Sequence, residues 1–148
     1  MRPLKFRAWD TVTKQWLEVG FHLFGEVTCF DIVRQKLVPN PAKPDEPSLI
    51  RLNDVIVTQF TGLHDRKGKE IYEGDVVRTP LNGDMRLVCF GEYVCENDDS
   101  LERDPSHLGW FLRGGEKSID ESLQGAPEIF EILGNRYEHP HLLDALRR

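Results

Sequence analysis

Short apolar stretches recur along this chain, punctuated by glycines and prolines spread along it, a pattern of many short elements and few long helices. Leu4-Lys5-Phe6-Arg7-Ala8-Trp9 has the period-2 pattern of a half-buried strand. Residues 10–14 make a turn, and Gln15-Trp16-Leu17-Glu18-Val19 returns as the hairpin partner. Residues 27–33 are rich in β-branched and aromatic side chains and predict a further strand. Residues 49–60 read as extended, with Val55-Ile56-Val57 at the apolar centre. Short strands are then predicted over Lys69-Glu70-Ile71-Tyr72, Val76-Val77-Arg78, residues 85–94 with a kink at Gly91, Trp110-Phe111-Leu112, and residues 129–133. Asp65-Arg66-Lys67-Gly68, Glu73-Gly74-Asp75 and Asn82-Gly83 supply the turns between them. Pro140-His141-Leu142-Leu143-Asp144-Ala145-Leu146 predicts a short helix with proline at its first position, where no donor is lost.

This pattern predicts a mainly β fold: antiparallel hairpins forming a small barrel or sandwich, with a short C-terminal helix. At 148 residues the chain suits a single domain. Within it we expect an N-terminal β part over 1–38, a loop over 39–48, and an SH3-like or barrel-like β part over 49–148. The loop carries Pro39, Pro41, Pro44 and Pro47, which remove ladder donors and restrict the residues before them.

Composition narrows the function classes. No apolar run approaches the length of a bilayer span, and Met1-Arg2-Pro3-Leu4-Lys5-Phe6-Arg7 lacks the apolar core of a secretion signal. A cytoplasmic protein without membrane association is expected. The odd count of three cysteines, Cys29, Cys89 and Cys95, agrees with reduced thiols. The net charge of −6 is local in origin, because residues 92–104 hold six of the 25 acidic groups and one of the 19 basic ones. That leaves 19 acidic against 18 basic residues elsewhere. No overall surplus of cations favours nucleic acid, although Lys5 and Arg7 offer a local basic face.

The candidate constellations are sparse. His139 and His141 invite a metal reading, but no third ligand has a recognised spacing, so no metal or cofactor is expected. A Cys89 or Cys95 nucleophile with His107 is opposed by the acidic stretch after Cys95, which raises a thiol pKa. Asp98, Asp99, Glu102 and Asp104 lack the order and glycine turn of a calcium loop. They form a solvated acidic run, or an imitation of a phosphate backbone. Phe6, Trp9 and Trp16 beside Lys5 and Arg7 could stack on single-stranded bases, but packing of Trp9 and Trp16 is the favoured reading. No catalytic residue is expected. The interaction candidates are Lys5, Arg7, Asp98, Asp99 and Glu102.

Several blocks together resemble the YopX family of phages and prophages. The carriers are Lys5-Phe6-Arg7-Ala8-Trp9-Asp10, residues 59–77 with Thr61-Gly62-Leu63-His64-Asp65 and Glu70-Ile71-Tyr72-Glu73-Gly74-Asp75, Cys89-Phe90-Gly91-Glu92-Tyr93, Gly109-Trp110-Phe111-Leu112, and Gly134-Asn135-Arg136-Tyr137-Glu138-His139-Pro140. The resemblance implies a β-rich fold with no assigned catalytic residues, and it makes a homo-oligomer plausible. Its motif residues, Trp9, Gly62, Gly68, Tyr72, Gly74, Asp75, Gly134 and Pro140, read as structural. The chain departs from the family at His139, where asparagine is commoner. The functional expectation is a non-enzymatic phage or prophage accessory protein that self-assembles and binds a host or phage macromolecule. The alternative is a nucleic-acid-binding small barrel, suggested by the turn-to-strand entry at Glu73-Gly74-Asp75-Val76-Val77.

Overall fold

The computed structural model describes residues 4–24, 27–33, 54–80, 83–94, 107–114, 120–123 and 127–146. These residues are mainly β: ten strands, one 3-10 turn and one short helix. The strands are β1 (Phe6–Asp10), β2 (Gln15–Phe24), β3 (Val27–Val33), β4 (Val55–His64), β5 (Glu70–Tyr72), β6 (Asp75–Arg78), β7 (Met85–Tyr93), β8 (His107–Arg113), β9 (Glu121–Ser122) and β10 (Glu131–Asn135), followed by helix α1 (His141–Leu146). No helix among the described residues is long and apolar enough to cross a membrane.

The chain gathers into two compact units, Lys5–Gln59 and a second made of Phe60–Arg148 with Met1–Leu4. In the first, β1 lies between β2 and β4, and β3 continues the sheet beyond β2; every pairing is antiparallel. The first hairpin turns where Asp10 is buried and its Oδ1 accepts the N–H groups of Val12 and Thr13 at 2.8 and 3.1 Å. The Thr13 hydroxyl donates to Oδ2 at 2.8 Å, and Lys14 takes the left-handed conformation at φ 57°. An Asx-type turn of this kind satisfies donors that a tight turn otherwise leaves bare. Burial alone would raise the Asp10 carboxyl, but the Thr13 hydroxyl and the two N–H groups outweigh it and hold it below its ordinary value.

In the second unit β6, β7, β8, β9 and β10 follow one another in sequence, and β10 returns to pair with β6, giving the order β10-β6-β7-β8-β9. A 3-10 turn at Pro127–Ile129 reverses the chain just before β10. The result is a half-barrel. Its core joins Ile71, Val77, Val88, Trp110, Leu112, Leu123 and Phe130, with Leu63 and Ile132 packed against it. The register explains the choice, since Val88 pairs with Leu112 and Phe90 with Trp110 and so point to one face. Val76, Leu87 and Phe111, at alternate positions, are buried on the opposite face. Burying each such side chain contributes about 1.5–3 kcal/mol, before the opposing loss of chain entropy.

Boundaries differ from the sequence expectation in three informative places. β2 continues past Val19 to Phe24 because β3 supplies it with seven consecutive partners. β4 begins at Val55 and runs beyond Phe60 to His64, crossing Gly62 at φ 84°, where its pairing with β5 shifts register. The late strand starts at Glu131, since Pro127–Ile129 forms the 3-10 turn. The two-residue β9 lies inside a stretch with no apolar alternation to announce it.

Candidate functional site

The motif-rich stretch from Thr61 to Asp75 is built as a chain of side-chain caps. The buried Thr61 hydroxyl donates to the carbonyl of Ile71 at 2.8 Å and accepts the N–H of Leu63 at 3.2 Å. Asp65, also buried, closes the next turn: Oδ1 accepts the N–H groups of Lys67 and Lys69, both at 2.9 Å. Its Oδ2 accepts the N–H of Ile132 at 3.2 Å, so one carboxylate ties the turn to β10. Arg66 N–H donates to the carbonyl of Phe130 at 2.9 Å alongside it. Burial on its own raises the Asp65 carboxyl, but the three N–H donors and the Lys69 charge bring it below its ordinary value. Such a carboxylate is a structural acceptor, poorly suited to proton transfer near neutrality.

Asp75 is buried at the mouth of β6, and its Oδ2 accepts the N–H of Tyr72 at 2.9 Å. The Tyr72 hydroxyl donates to Glu70 at 2.9 Å, and its ring lies 5.4 Å from that of Phe60. Gly74 sits between them at φ 83°. A Cβ there would lie 2.8 Å from Cε2 of Tyr137. The same turn is locked from two sides, because Gly74 N–H donates to Val88 and Gly74 carbonyl accepts from Arg136, both at 2.9 Å. Gly134 plays the matching part on β10: a Cβ would stand 2.7 Å from Nδ1 of His139. Gly68, at φ 77°, has open space around it and serves the turn alone. Pro140 directly precedes α1.

The interaction candidates named from sequence are placed as follows. Lys5 is exposed, and Arg7 is half-buried, its Nε donating to Thr58 Oγ1 at 3.2 Å and its guanidinium 4.4 Å above the Trp16 ring. Trp9 is buried with its ring 5.0 Å from Trp16, edge to face. The Trp9–Trp16 pair is therefore a cross-strand contact, capped by a cation already engaged in the same sheet. Asp98, Asp99, Glu102 and Asp104, like Cys95, lie outside the described residues. Arg7 lies on β1, and Lys5 immediately precedes that strand.

The chemistry-bearing residues are dispersed. Burial pushes the Cys89 thiol up, against the opposing charges of Arg113 and Arg136, so it is not primed as a nucleophile. Cys89 pairs with Phe111 and His107 with Tyr93, four residues further along, a separation of roughly 13 Å. The His139 and His141 rings are 6.0 Å apart, edge to face, and Nδ1 of His139 is buried without a hydrogen-bond partner against Gly134. Among the described residues no three His, Cys, Asp or Glu side chains are grouped to hold a metal ion.

Three features escape sequence reading. Glu131 on β10 pairs with Arg66 and, at 2.6 Å, with Lys67, and these contacts lower its carboxyl, the Lys67 hydrogen bond foremost. Asn135 caps the turn into α1, its Oδ1 accepting from Tyr137 and Glu138 and its Nδ2 donating to Glu138 at 2.6 Å. Finally, Phe90 is 53% and Leu108 73% exposed, while their neighbour Trp110 is 7% exposed with its ring 4.8 Å from Phe90. Phe90 and Leu108 share one face of the β7–β8 ladder, at the end beyond the packed core. The alternation in residues 85–94 predicts a strand but not which face outruns its cover.

With this geometry in view, comparison with known proteins is decisive on one point. The family described as YopX protein matches residues 5–144. The chain belongs to the YopX family. YopX membership covers both units, including the capped turns around Asp65, Gly74 and Asn135. Among solved structures the chain is similar to protein EF1440 from Enterococcus faecalis, at 20% identity and a TM-score of 0.51, covering 97% of this chain and 99% of that one. That likeness supports the β-rich fold. No curated protein matches the chain.

Proposed function

We propose that this YopX protein is a non-enzymatic accessory protein of a phage or prophage, which self-assembles and engages a host or phage macromolecule. The observation that carries the reading is the exposed pair Phe90 and Leu108 at the end of the core-side face of β7 and β8. Large apolar side chains left together in water at the end of a rigid ladder are suited to contact with another macromolecule. The buried carboxylates of the family motif support the same view, because Asp65 and Asp75 accept backbone N–H groups and hold the turns. The test is affinity capture by the intact protein from a bacterial lysate, read by mass spectrometry beside Phe90→Asp/Leu108→Asp. A protein retained by the wild type and lost by the variant supports this reading.

A second reading, nucleic-acid binding, is favoured by the closure of β10 on β6 after a 3-10 turn, the connectivity of a small SH3-like barrel. It predicts binding that weakens steeply as salt rises and suffers when Lys5 is replaced by Glu. Salt-insensitive binding removes it.

A further inference from the structure

The margins of the sheets are not alike. β9 is two residues long and β5 three. The outer margin of β10 is met by the Asp65 turn, which takes the Ile132 N–H and donates to the Phe130 carbonyl. β3 differs: it runs seven residues in unbroken register with β2, and among the described residues no strand pairs with its other side. Its sequence, Val27-Thr28-Cys29-Phe30-Asp31-Ile32-Val33, has five β-branched or aromatic residues and one charge. It contains no proline, no lysine and no bulge, the devices that ordinarily blunt an edge strand.

We propose that β3 pairs antiparallel with β3 of a second copy of this chain, joining two sheets across a twofold axis at Phe30. The proposal deepens the self-assembly in the reading above and rests on it. A twofold pairing of one strand with itself covers both open margins at once and leaves none to propagate. The following segment of the same chain is a poor alternative, since Pro39, Pro41, Pro44 and Pro47 offer no N–H to a ladder. Centring on Phe30 uses all seven residues: Val27 of one copy lies opposite Val33 of the other, Thr28 opposite Ile32, and Cys29 opposite Asp31. The single charge then faces a thiol and not its own copy, so like charges are not opposed.

The mass of the intact protein in solution is measured first, by light scattering after size exclusion. Single-cysteine variants Phe30→Cys and Val27→Cys are then made in a Cys29→Ser/Cys89→Ser/Cys95→Ser background and oxidised under native conditions. In the proposed register the two positions 30 have Cα atoms about 4.5–5.5 Å apart, within disulfide reach. The two positions 27 are roughly 20 Å apart. We expect a dimer, with Phe30→Cys forming covalent dimer at least about tenfold faster than Val27→Cys. A monomer overturns both this proposal and the self-assembly reading. A dimer in which Phe30→Cys links no faster overturns the β3 surface and leaves self-assembly standing. Where Phe30→Cys fails to fold, as judged by circular dichroism, Asp31→Cys with Cys29 retained gives the same test across the axis, and absence of covalent dimer there also overturns the proposal.

Discussion

Asp65 and Gly74 each hold a turn of the family motif in place, and each makes a sharp prediction. Replacing Asp65 with Asn keeps the shape but turns one acceptor into a donor facing an N–H group. The cost is about 1–3 kcal/mol at neutral pH, read from urea midpoints. The acid limb should change too. Asp65 and Asp10 both titrate below their ordinary values when folded, so their stabilisation is fully present above the unfolded carboxylate range and is lost as pH falls through the folded values. Asp65→Asn should therefore flatten part of the decline in stability below about pH 4, and an unchanged decline contradicts its assigned role. Gly74→Ala meets both the left-handed φ and the Tyr137 ring, whereas Gly83→Ala meets a comparable φ of 74° in open space. Thermal unfolding should show a cost of about 1 kcal/mol at Gly83 and clearly more at Gly74.

At the scale of elements, the approach of β10 to α1 depends on the missing side chain of Gly134. A methyl group there collides with the ring of His139, so Gly134→Ala should destabilise the protein by more than about 1 kcal/mol. In a His139→Ala background that cost should shrink, and a double-mutant cycle with no coupling would refute the contact. The sequence made the turns and most strands legible for local reasons: Asp65 to Gly68, Gly74 and Gly83 sit where the chain must reverse. Partners were not legible. β10 reaches back to β6, and Glu131 finds Arg66 and Lys67 more than 60 residues away, pairings that no local pattern encodes. β9 carries no local signal because its two polar residues show no alternation, and β4 outruns the expected end at Phe60 because β5 pairs with it as far as His64. The packing of Trp9 on Trp16 was legible, because two aromatic residues flanking a tight turn meet across the hairpin.

For the whole molecule, the acidic composition and the half-barrel pull in different directions. Charge disfavours a broad nucleic-acid footprint, while the connectivity of β6 to β10 suits a small binding barrel. The exposed Phe90 and Leu108 tip the account toward a macromolecular contact made through apolar surface. The direct test is capture from a bacterial lysate after nuclease treatment, with wild type and Phe90→Asp/Leu108→Asp compared side by side. The account predicts a specific protein retained by the wild type and reduced at least about tenfold by the variant, with both forms equally folded. An identical set of retained proteins for the two forms, or loss of every partner on nuclease treatment, contradicts it.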